Sequence, residues 1–389
     1  MKLDNFVASS DIYDVYESDG MAVRIYKKPE YKEKCLYAAL THARVETTLG
    51  NSFIKMPVLH EVSVIDGKWA ISAISQAPTA MAMTSNVAGR KTLVVVLGAT
   101  ATGKTGVGIR LAQAFGSEIV SSDSRQIYRE MSIGTAKPTA EELAAVPHHF
   151  IDTRSVSEDY SAGRYEEDAL RLLGELFAKH DLLFLVGGSG LYIDAVCDGM
   201  DPLPAVDEEL RRRLTERFRG DGLAPLLEEL EKYDPAYYRQ VDRENPHRVI
   251  RALEVCLQTG RPYSSLRRGE GKQRPFDILK IGIRMPRETL YRRIDDRVDG
   301  MVAEGLEREA RALYPLRDCN ALQTVGYREF FGYFDGKITR DKAIELIKRN
   351  SRRYAKRQQT WFGRDDRIEW FDGGEGCAES IEKYLRKFV

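Results

Sequence analysis

Cysteine is scarce in this sequence of 389 residues, and its five cysteines lie far apart. An odd, scattered set is neither a disulfide framework nor the closely spaced pair of a structural zinc site. We therefore expect free thiols in a reducing compartment, the cytoplasm. The cysteines are Cys35, Cys197, Cys256, Cys319 and Cys377.

Long apolar runs are also missing. No stretch approaches the roughly 20 apolar residues that a membrane-spanning helix needs. Residues 1–4 do not open a basic segment followed by an apolar one, so we expect no signal peptide. These absences predict a chain that does not enter a membrane.

The sequence has no excess of one charge, because Lys and Arg together number 59, as do Asp and Glu. The net charge of zero neither favours nor excludes a nucleic-acid partner, and only local clusters can do so. The hydrophobic content of 43% is enough for a packed core, and the length predicts two or three domains.

The most specific motif covers residues 98–105, between the apolar run 93–97 and a periodically apolar stretch at 107–115. Strand, glycine-bounded loop and helix in this order indicate a phosphate-binding P-loop, although a glycine-rich turn is the alternative. Loop N–H groups, the Lys104 charge and the helix N-terminus would bind phosphate, and Thr105 can reach a metal ion. The candidate phosphate-binding residues are Gly98, Ala99, Thr100, Ala101, Thr102, Gly103, Lys104 and Thr105.

Strand and helix patterns alternate from residue 92 onward. Continuous apolar strands separated by helices predict a buried parallel sheet. We therefore predict an α/β fold: a P-loop NTPase-like parallel sheet flanked by helices, with a helical insertion domain and a small α+β N-terminal segment. The predicted strands are 92–97, 118–121, 149–151, 182–186 and, last, 278–284.

Composition also divides the chain into segments. Residues 1–76 have a strand at 21–26, a helical pattern at 33–46 and a hairpin with an Asp-Gly turn at 62–71. The charged helical segment at 201–265 is predicted to be an insertion that lies over the carboxyl edge of the sheet, where such sheets bind ligands. The predicted segments are 1–76, a linker at 77–91, the first part of the core at 92–200, the insertion at 201–265 and the core completion with C-terminal helices at 266–389. The predicted helices are 207–218, 225–233, 245–258, 287–314, 341–361 and 379–388.

Asp123 follows the predicted strand 118–121 directly. It is expected at the carboxyl end of a strand that neighbours the P-loop strand. A carboxylate there can take a proton from a nucleophile that faces a phosphate ester. An N-cap of the next helix and a metal ligand are the alternatives.

Residues 187–190, Gly-Gly-Ser-Gly, follow the strand 182–186. Many P-loop ATPases and kinases end this strand in an Asp that helps to hold magnesium. Two glycines would instead let a bulky group approach the backbone, which argues against a motor or switch ATPase. The loop 133–138 contains a glycine and a cation and is a further candidate for the site; the alternative interpretation is a plain turn.

Two basic segments are candidate contacts for phosphate or nucleic acid. Arg248 and Arg251 lie three apart on one helical face, so one could contact diphosphate and the other a nucleic-acid backbone. Residues 348–357 carry six cations and no acid, and Trp361 and Phe362 follow. Cations beside aromatics fit an RNA backbone with unstacked bases. A solvated helix face is the alternative for both segments.

Together these motifs resemble the tRNA dimethylallyltransferase family of isopentenyltransferases. They stand in the family's order between about residues 92 and 372, with Ser132 where an Asp is usual and Ser189 where a Thr is usual. The segment 1–76 resembles a truncated N-lobe of aminoglycoside-phosphotransferase-like kinases through 20–25, 39–46 and 65–71, without a catalytic-loop carboxylate. The matching transferase motifs are 98–105, 123–128, 133–138, 187–192, 248–255 and 353–358.

The resemblance implies transfer of a dimethylallyl group from dimethylallyl diphosphate to N6 of adenosine 37, beside the tRNA anticodon. Asp123 would accept the proton, Lys104, Thr105 and Arg251 would assist catalysis, and Mg²⁺ would lie between Thr105 and the diphosphate. We expect a monomer whose partner is the tRNA anticodon stem-loop. A P-loop small-molecule kinase using ATP and an RNA-binding ATPase are the rival functions. Besides the P-loop, Arg248 is a candidate diphosphate contact. The candidate tRNA contacts are Asp123, Ser124, Arg125, Gln126, Ser189, Arg211, His247, Arg248, Val249, Ile250, Arg251, Arg353, Lys356 and Arg357.

Overall fold

The computed structural model divides the chain into two compact units, Met1–Asn86 and Val87–Val389. The division falls within the predicted linker at 77–91. The predicted helix at 33–46, and the linker apart from Lys91, lie outside the described residues. The structure describes residues 5–9, 13–18, 21–26, 59–65, 68–74, 91–201, 203–267, 269 and 271–388.

The first unit contains a five-stranded antiparallel sheet with the order β1-β2-β3-β5-β4. The strand predicted at 21–26 is confirmed as β3. The predicted hairpin is confirmed as well, because Ile65 pairs with Lys68 across the two-residue Asp-Gly connection. The strands are β1 (Asn5–Ser9), β2 (Tyr13–Ser18), β3 (Met21–Tyr26), β4 (Leu59–Ile65) and β5 (Lys68–Ile74).

The second unit is built on a six-stranded sheet in which every neighbouring pair is parallel. Its order is β11-β10-β6-β9-β7-β8, which confirms the predicted α/β class. The strands are β6 (Thr92–Gly98), β7 (Ile119–Ser121), β8 (His148–His149), β9 (Leu182–Gly187), β10 (Asp277–Arg284) and β11 (Ile368–Asp372).

Three predictions about this sheet are wrong. Strand β10 is not the last, because β11 pairs with it at the sheet edge. The strand before Asp123 does not neighbour the P-loop strand, because β9 lies between β6 and β7. The short strand predicted at 149–151 ends at His149, and the next residue, Phe150, has a positive φ of 61° that leaves the extended conformation.

Helices flank the sheet at or near the predicted positions. The segment predicted as one helix over 287–314 is two, because Gly305 adopts a left-handed φ of 109° between them. The described helices are α1 (Lys104–Ala114), α2 (Ala140–Ala145), α3 (Ala162–Phe177), α4 (Gly190–Cys197), α5 (Glu208–Asp221), α6 (Ala224–Tyr233), α7 (Pro235–Tyr238), α8 (Pro246–Thr259), α9 (Tyr263–Leu266), α10 (Arg287–Glu304), α11 (Leu306–Leu313), α12 (Tyr327–Phe334), α13 (Arg340–Phe362) and α14 (Cys377–Leu385). None of them is long and apolar enough to cross a membrane.

Both faces of the sheet are covered. Along β6, Leu93 and Val95 pack with α3, α4, α12 and α13 on one face, whereas Val94 and Val96 pack with α1 and α14 on the other. All four side chains have no exposed surface. This two-sided burial explains why the strand is a continuous apolar run rather than an alternating one.

The helices of the predicted insertion have a hydrophobic core of their own. Helices α5 to α9 contribute to one cluster centred on Leu214, Leu226, Leu230 and Leu253, all buried. The sheet strands contribute nothing to this cluster among the described residues. The insertion is therefore held together by its own packing.

Candidate active site

The P-loop connects β6 to α1 and turns tightly around the helix N-terminus. Ala101 and Gly103 have φ values of 65° and 91°. The Thr102 hydroxyl donates to Ala99 O at 2.9 Å, and Lys104 Nζ donates to the same oxygen at 3.2 Å. The loop is therefore preformed, with its lysine folded back over it.

A cavity of about 370 Å³ opens beside this loop. Its wall combines the P-loop with the segment after β7, the loop 134–138, and helices α10 and α13. Polar lining residues include Thr100, Lys104, Thr105, Asp123, Arg125, Gln126, Thr135, Arg297, Ser351, Tyr354 and Gln358. Aliphatic lining residues include Ile294, Val298, Met301, Leu306, Val325 and Ile347. The space therefore offers a charged wall and an apolar wall to one ligand.

Three cations, Lys104, Arg293 and Arg297, lie at the P-loop. Burial lowers the pKa of Lys104 to about 8, and Arg297 adds to the lowering while Asp123 opposes it. Arg297 Nη1 donates to Thr100 Oγ1 at 3.4 Å, and burial, followed by the charge of Arg293, lowers its pKa. Neighbouring positive charges that lower the pKa of Lys104 and of Arg297 indicate a site that binds an anion.

Sequence reasoning missed two arginines of α10, Arg293 and Arg297. Arg293 Nη2 lies 3.7 Å from the position that a Cβ on Gly103 would take. Neither Arg293 nor Arg297 forms an ion pair with a carboxylate of the described residues. Their i, i+4 spacing is a signal of the same kind that had singled out Arg248 and Arg251, but it lies in a segment without a glycine-rich motif.

Asp123 has one engaged and one available carboxylate oxygen. Its Oδ1 accepts the backbone N–H groups of Arg125, at 2.9 Å, and Gln126, at 3.2 Å. The two bonds cap a turn at residues 124–127, so the predicted alternative, an N-cap of the next helix, is wrong, because the next described helix begins at Ala140. Its Oδ2 accepts no hydrogen bond from any described residue, and Asp123 lines the cavity. Capping therefore orients this carboxylate without using it up.

Tyr354 lines the cavity with Asp123, whereas the buried Ser189 contacts the segment after β7. The Ser189 hydroxyl accepts the Ser124 N–H at 2.9 Å and donates to Ser124 Oγ at 3.0 Å. Burial, followed by the negative charge of Asp123, raises the pKa of Tyr354 to about 12. The Tyr354 hydroxyl thus keeps its proton at neutral pH and can donate a hydrogen bond into the cavity.

The loop 133–138 is held by the chain itself. Gln126 Nε2 donates to Thr135 O at 3.1 Å and to Ala136 O at 3.0 Å. Glu309 accepts the N–H groups of residues 132–134 at 2.8 to 2.9 Å. Lys137 Nζ donates to Tyr128 O at 2.7 Å and pairs with the Asp152 carboxylate, so its charge is not available to a ligand. Gln126, which is predicted to contact RNA, likewise uses its amide nitrogen internally.

The glycines after β9 make room for neighbouring side chains of the protein. A Cβ on Gly188 would lie 2.5 Å from Gln358 Nε2. A Cβ on Gly187 or Gly190 would lie within 3.0 Å of Ser122 or Trp361. The bulky groups that approach the backbone here are side chains from the loop after β7 and from α13.

The structure does not bring the insertion's predicted residues to this cavity. Arg211 Nε and Arg251 Nη1 each donate to the fully buried carboxylate of Glu254, both at 2.8 Å. Arg251 Nη2 also donates to Pro204 O at 2.7 Å. His247 and Arg248 are exposed on the insertion surface. Their predicted roles stay predictions.

Two residues of the same helix cannot contact RNA through their side chains in this arrangement. Val249 has no exposed surface and Ile250 has 7%. Both belong to the core of the insertion. Their place in the motif follows from helix packing, with period 3.6, rather than from recognition.

The basic part of α13 divides into two classes. Arg352 pairs with Asp295, and Lys348 pairs with Asp299. Arg349 is exposed and forms no ion pair with the described residues, and the same holds for three cations further along the helix, Arg353, Lys356 and Arg357. We call these three the basic face of α13.

Comparison with known proteins gives a consistent family. The sequence profile of the IPP transferase family matches residues 126–365. The chain is 54% identical over 280 residues to tRNA dimethylallyltransferase 2 of Porphyromonas gingivalis, which covers 72% of this chain and 93% of the relative. It is 50% identical over 285 residues to the tRNA dimethylallyltransferase of Cytophaga hutchinsonii, covering 73% and 94%.

Solved structures agree with this relationship. The full-length tRNA isopentenylpyrophosphate transferase of Bacillus halodurans superposes with a TM-score of 0.57 and 40% identity, covering 76% of this chain and 96% of that one. A eukaryotic dimethylallyltransferase acting on tRNA gives a TM-score of 0.64 and 26% identity, covering 76% and 77%. On the family profile, the curated relatives and the shared fold, the chain belongs to the IPP transferase family.

Proposed function

We propose that this chain transfers a dimethylallyl group from dimethylallyl diphosphate to N6 of adenosine 37 in tRNA, releasing diphosphate. One observation carries the proposal. A single cavity joins the cations of the P-loop wall to the available Oδ2 of Asp123. Diphosphate binding and proton removal can therefore take place on one substrate pair. The relatives' names, tRNA dimethylallyltransferase, support the choice of substrates.

The charged wall binds the leaving group. Lys104, the loop N–H groups and Arg297, with Arg293 beside it, surround the position of a diphosphate. They stabilise the charge that develops as its bond to carbon breaks. Arg251 and Arg248, the predicted contacts, would reach this position only if the insertion moved toward the cavity.

Magnesium is compatible with this wall. The Thr105 hydroxyl lines the cavity and has no hydrogen-bond partner among the described residues. No group of three or more His, Cys, Asp or Glu residues in the described part of the chain could hold a metal ion. Thr105 with phosphate oxygens and waters would hold Mg²⁺, as is usual for this ion, and Mg²⁺ would neutralise diphosphate charge.

The apolar wall and Asp123 serve the other half of the reaction. The aliphatic side chains exclude water from the dimethylallyl group. The adenine N6 attacks the carbon attached to the diphosphate, the carbon–oxygen bond breaks with both electrons on the diphosphate, and Asp123 Oδ2 takes the N6 proton. The adenine must leave the anticodon-loop stack to reach this position.

The RNA partner is the anticodon stem-loop. The basic face of α13 supplies three unpaired cations beside the cavity, and His247 and Arg248 are exposed on the insertion. Phosphate contacts of this kind fix the position of RNA on a protein. We place the enzyme in the cytoplasm as a monomer.

Nucleoside mass spectrometry tests the function directly. The full chain is incubated with an unmodified tRNA transcript, dimethylallyl diphosphate and Mg²⁺, and the tRNA is digested to nucleosides. We expect dimethylallyladenosine at position 37, and none in a transcript with guanosine there. Consumption of ATP without a prenylated nucleoside would establish the small-molecule kinase instead.

A further inference from the structure

Helix α13 lines the cavity with one set of residues and exposes a basic set to solvent. Ile347, Ser351, Tyr354 and Gln358, spaced four, three and four residues apart, line the cavity. The basic face, with Arg353, Lys356 and Arg357, is exposed beside these residues, and the Arg357 guanidinium lies 5.7 Å from the ring centroid of Tyr354. One rigid element of 23 residues therefore meets both the cavity and the proposed RNA surface.

Gln358 connects this helix to the P-loop through both ends of its amide. Its Oε1 accepts the Thr100 N–H at 2.9 Å, and its Nε2 donates to Gly188 O at 2.8 Å. The side chain is buried, with the residue 6% exposed. Because both amide ends have partners, the position of the Gln358 side chain is fixed relative to β6 and β9.

The bond to Thr100 holds a strained part of the loop. The next residue, Ala101, has a φ of 65°, which a residue with a Cβ adopts rarely. Such conformations persist where surrounding contacts over-determine them. Gln358 supplies one of these contacts from outside the loop, and Thr102 supplies another from within it, through its bond to Ala99 O.

Gln358 has little freedom to move independently of α13. One turn further on, Trp361 Nε1 donates to Asp194 Oδ2 of α4 at 2.9 Å. One turn earlier, Tyr354 lies in the cavity wall. A ligand that shifts or steadies α13 therefore acts on the Gln358 contact with Thr100 N–H.

We propose that Gln358 is a positioning residue that couples RNA binding on the basic face of α13 to diphosphate binding at the P-loop. RNA on the basic face steadies the helix, the amide holds the loop in its anion-binding shape, and diphosphate binds more tightly. The coupling is reciprocal, so diphosphate tightens RNA binding by the same factor. This proposal rests on the function proposed above.

The test measures coupling rather than activity. Inorganic diphosphate with Mg²⁺ is titrated into the full chain by calorimetry, with and without a saturating tRNA anticodon stem-loop. For the wild-type chain we expect the RNA to lower the diphosphate Kd at least about fivefold. Gln358→Met, which keeps the length of the side chain but removes both amide groups, should abolish the ratio and leave RNA affinity without diphosphate unchanged.

Two further variants separate coupling from folding. Gln359→Met changes the neighbouring exposed glutamine and should keep the full ratio. Gly188→Ala leaves Gln358 intact but places a Cβ 2.5 Å from its Nε2, so it should reduce the ratio as Gln358→Met does. Thermal midpoints identify any variant that fails to fold. If either Gln358→Met or Gly188→Ala does so, the other of these two decides whether the coupling depends on Gln358.

Two results would overturn the coupling. One is an equal ratio in Gln358→Met and the wild-type chain, and the other is RNA binding to the wild-type chain with no change in diphosphate affinity. Failure of the wild-type chain to bind the RNA would overturn the proposed function as well, so the two failures are distinguishable.

Discussion

The P-loop wall and the helical insertion both gather arginines, but they use them differently. In the insertion, Arg211 and Arg251 are tied to the buried carboxylate of Glu254. At the P-loop wall, Arg297 lines the cavity and Arg293 lies near Gly103, and neither forms an ion pair with a carboxylate of the described residues. The comparison teaches that residue spacing in the sequence identifies a cluster of cations. Whether those cations can bind a ligand or stabilise the fold depends on the carboxylates that pair with them.

The difference comes from where the acids lie. In α8, Glu254 is three residues from Arg251 and points with it into the insertion. In α10, the acids Asp295 and Asp299 point instead to α13 and pair with Arg352 and Lys348. The two acids of α10 therefore neutralise two cations of α13. Arg293 and Arg297 of α10 have no carboxylate partner among the described residues.

The largest effect should come from the carboxylate that faces the unpaired cations. Asp123→Asn keeps an oxygen to cap the turn but cannot take a proton. We expect the single-turnover rate to fall by about 10²- to 10⁴-fold, a typical contribution of a general base. RNA affinity, measured by filter binding, should not change. A wild-type rate in this variant would remove Asp123 from the mechanism and leave it a cap.

A matched pair of variants tests the comparison itself. Arg297→Gln should weaken diphosphate binding to the RNA-free chain by about 10- to 150-fold, because a charge-assisted hydrogen bond contributes about 1.5–3 kcal/mol. Arg251→Gln should leave that Kd unchanged but lower the thermal midpoint, since Glu254 loses a partner while buried. An equal loss of affinity in Arg251→Gln would show that the insertion reaches the diphosphate even without RNA.

The depressed pKa of Lys104 predicts that diphosphate binding at the P-loop wall takes up protons. In the empty site the pKa is about 8, so at pH 8 about half of the molecules lack this proton. A bound diphosphate raises the pKa, so binding at pH 8 takes up about half a proton and affinity falls as pH rises further. Calorimetry in buffers of different ionisation enthalpy measures the uptake.

The control for this proton is Lys104→Arg, whose guanidinium does not titrate in this range. Titration of the diphosphate itself contributes equally to both proteins and cancels in the difference. Equal uptake by the two proteins would mean that Lys104 is already fully charged in the empty site.

The smallest effect separates paired from unpaired cations on α13. Arg353→Gln should reduce the slope of log affinity against log salt for RNA by about 1, because one phosphate contact is lost. Arg352→Gln removes a neighbouring arginine that is already paired with Asp295 and should leave the slope unchanged. Equal slopes for both variants would make the basic face a solvated surface only.

The sequence was enough to predict the P-loop and the α/β class, because both depend on local order. An apolar strand, a glycine-bounded loop and a helix follow one another within residues 92–114. The same holds for the Asp-Gly hairpin between β4 and β5. Strand order was not predictable in this way. Every order of parallel strands requires crossover helices, so the helices alone do not show that β9 lies between β6 and β7.

Site residues followed the same rule. Asp123 and Lys104 could be found because they lie next to a strand end or in the loop. Arg297 and Gln358 could not, because each reaches the loop from a helix about 200 or more residues away in sequence. Arg251 could be singled out from a local motif, whereas its ion pair with Glu254 could not be predicted.

The bond between Thr100 and Gln358 also has a consequence for the growing chain. The two residues are 258 positions apart, so the P-loop leaves the ribosome long before the amide that braces it. At about 5–20 residues per second, synthesis of that interval takes about 13–50 s. Throughout that time the nascent chain has its anion-binding motif but not the brace, and the edge strand β11 follows later still. A chain truncated before residue 358 would therefore contain the whole P-loop motif and lack the part that holds its shape.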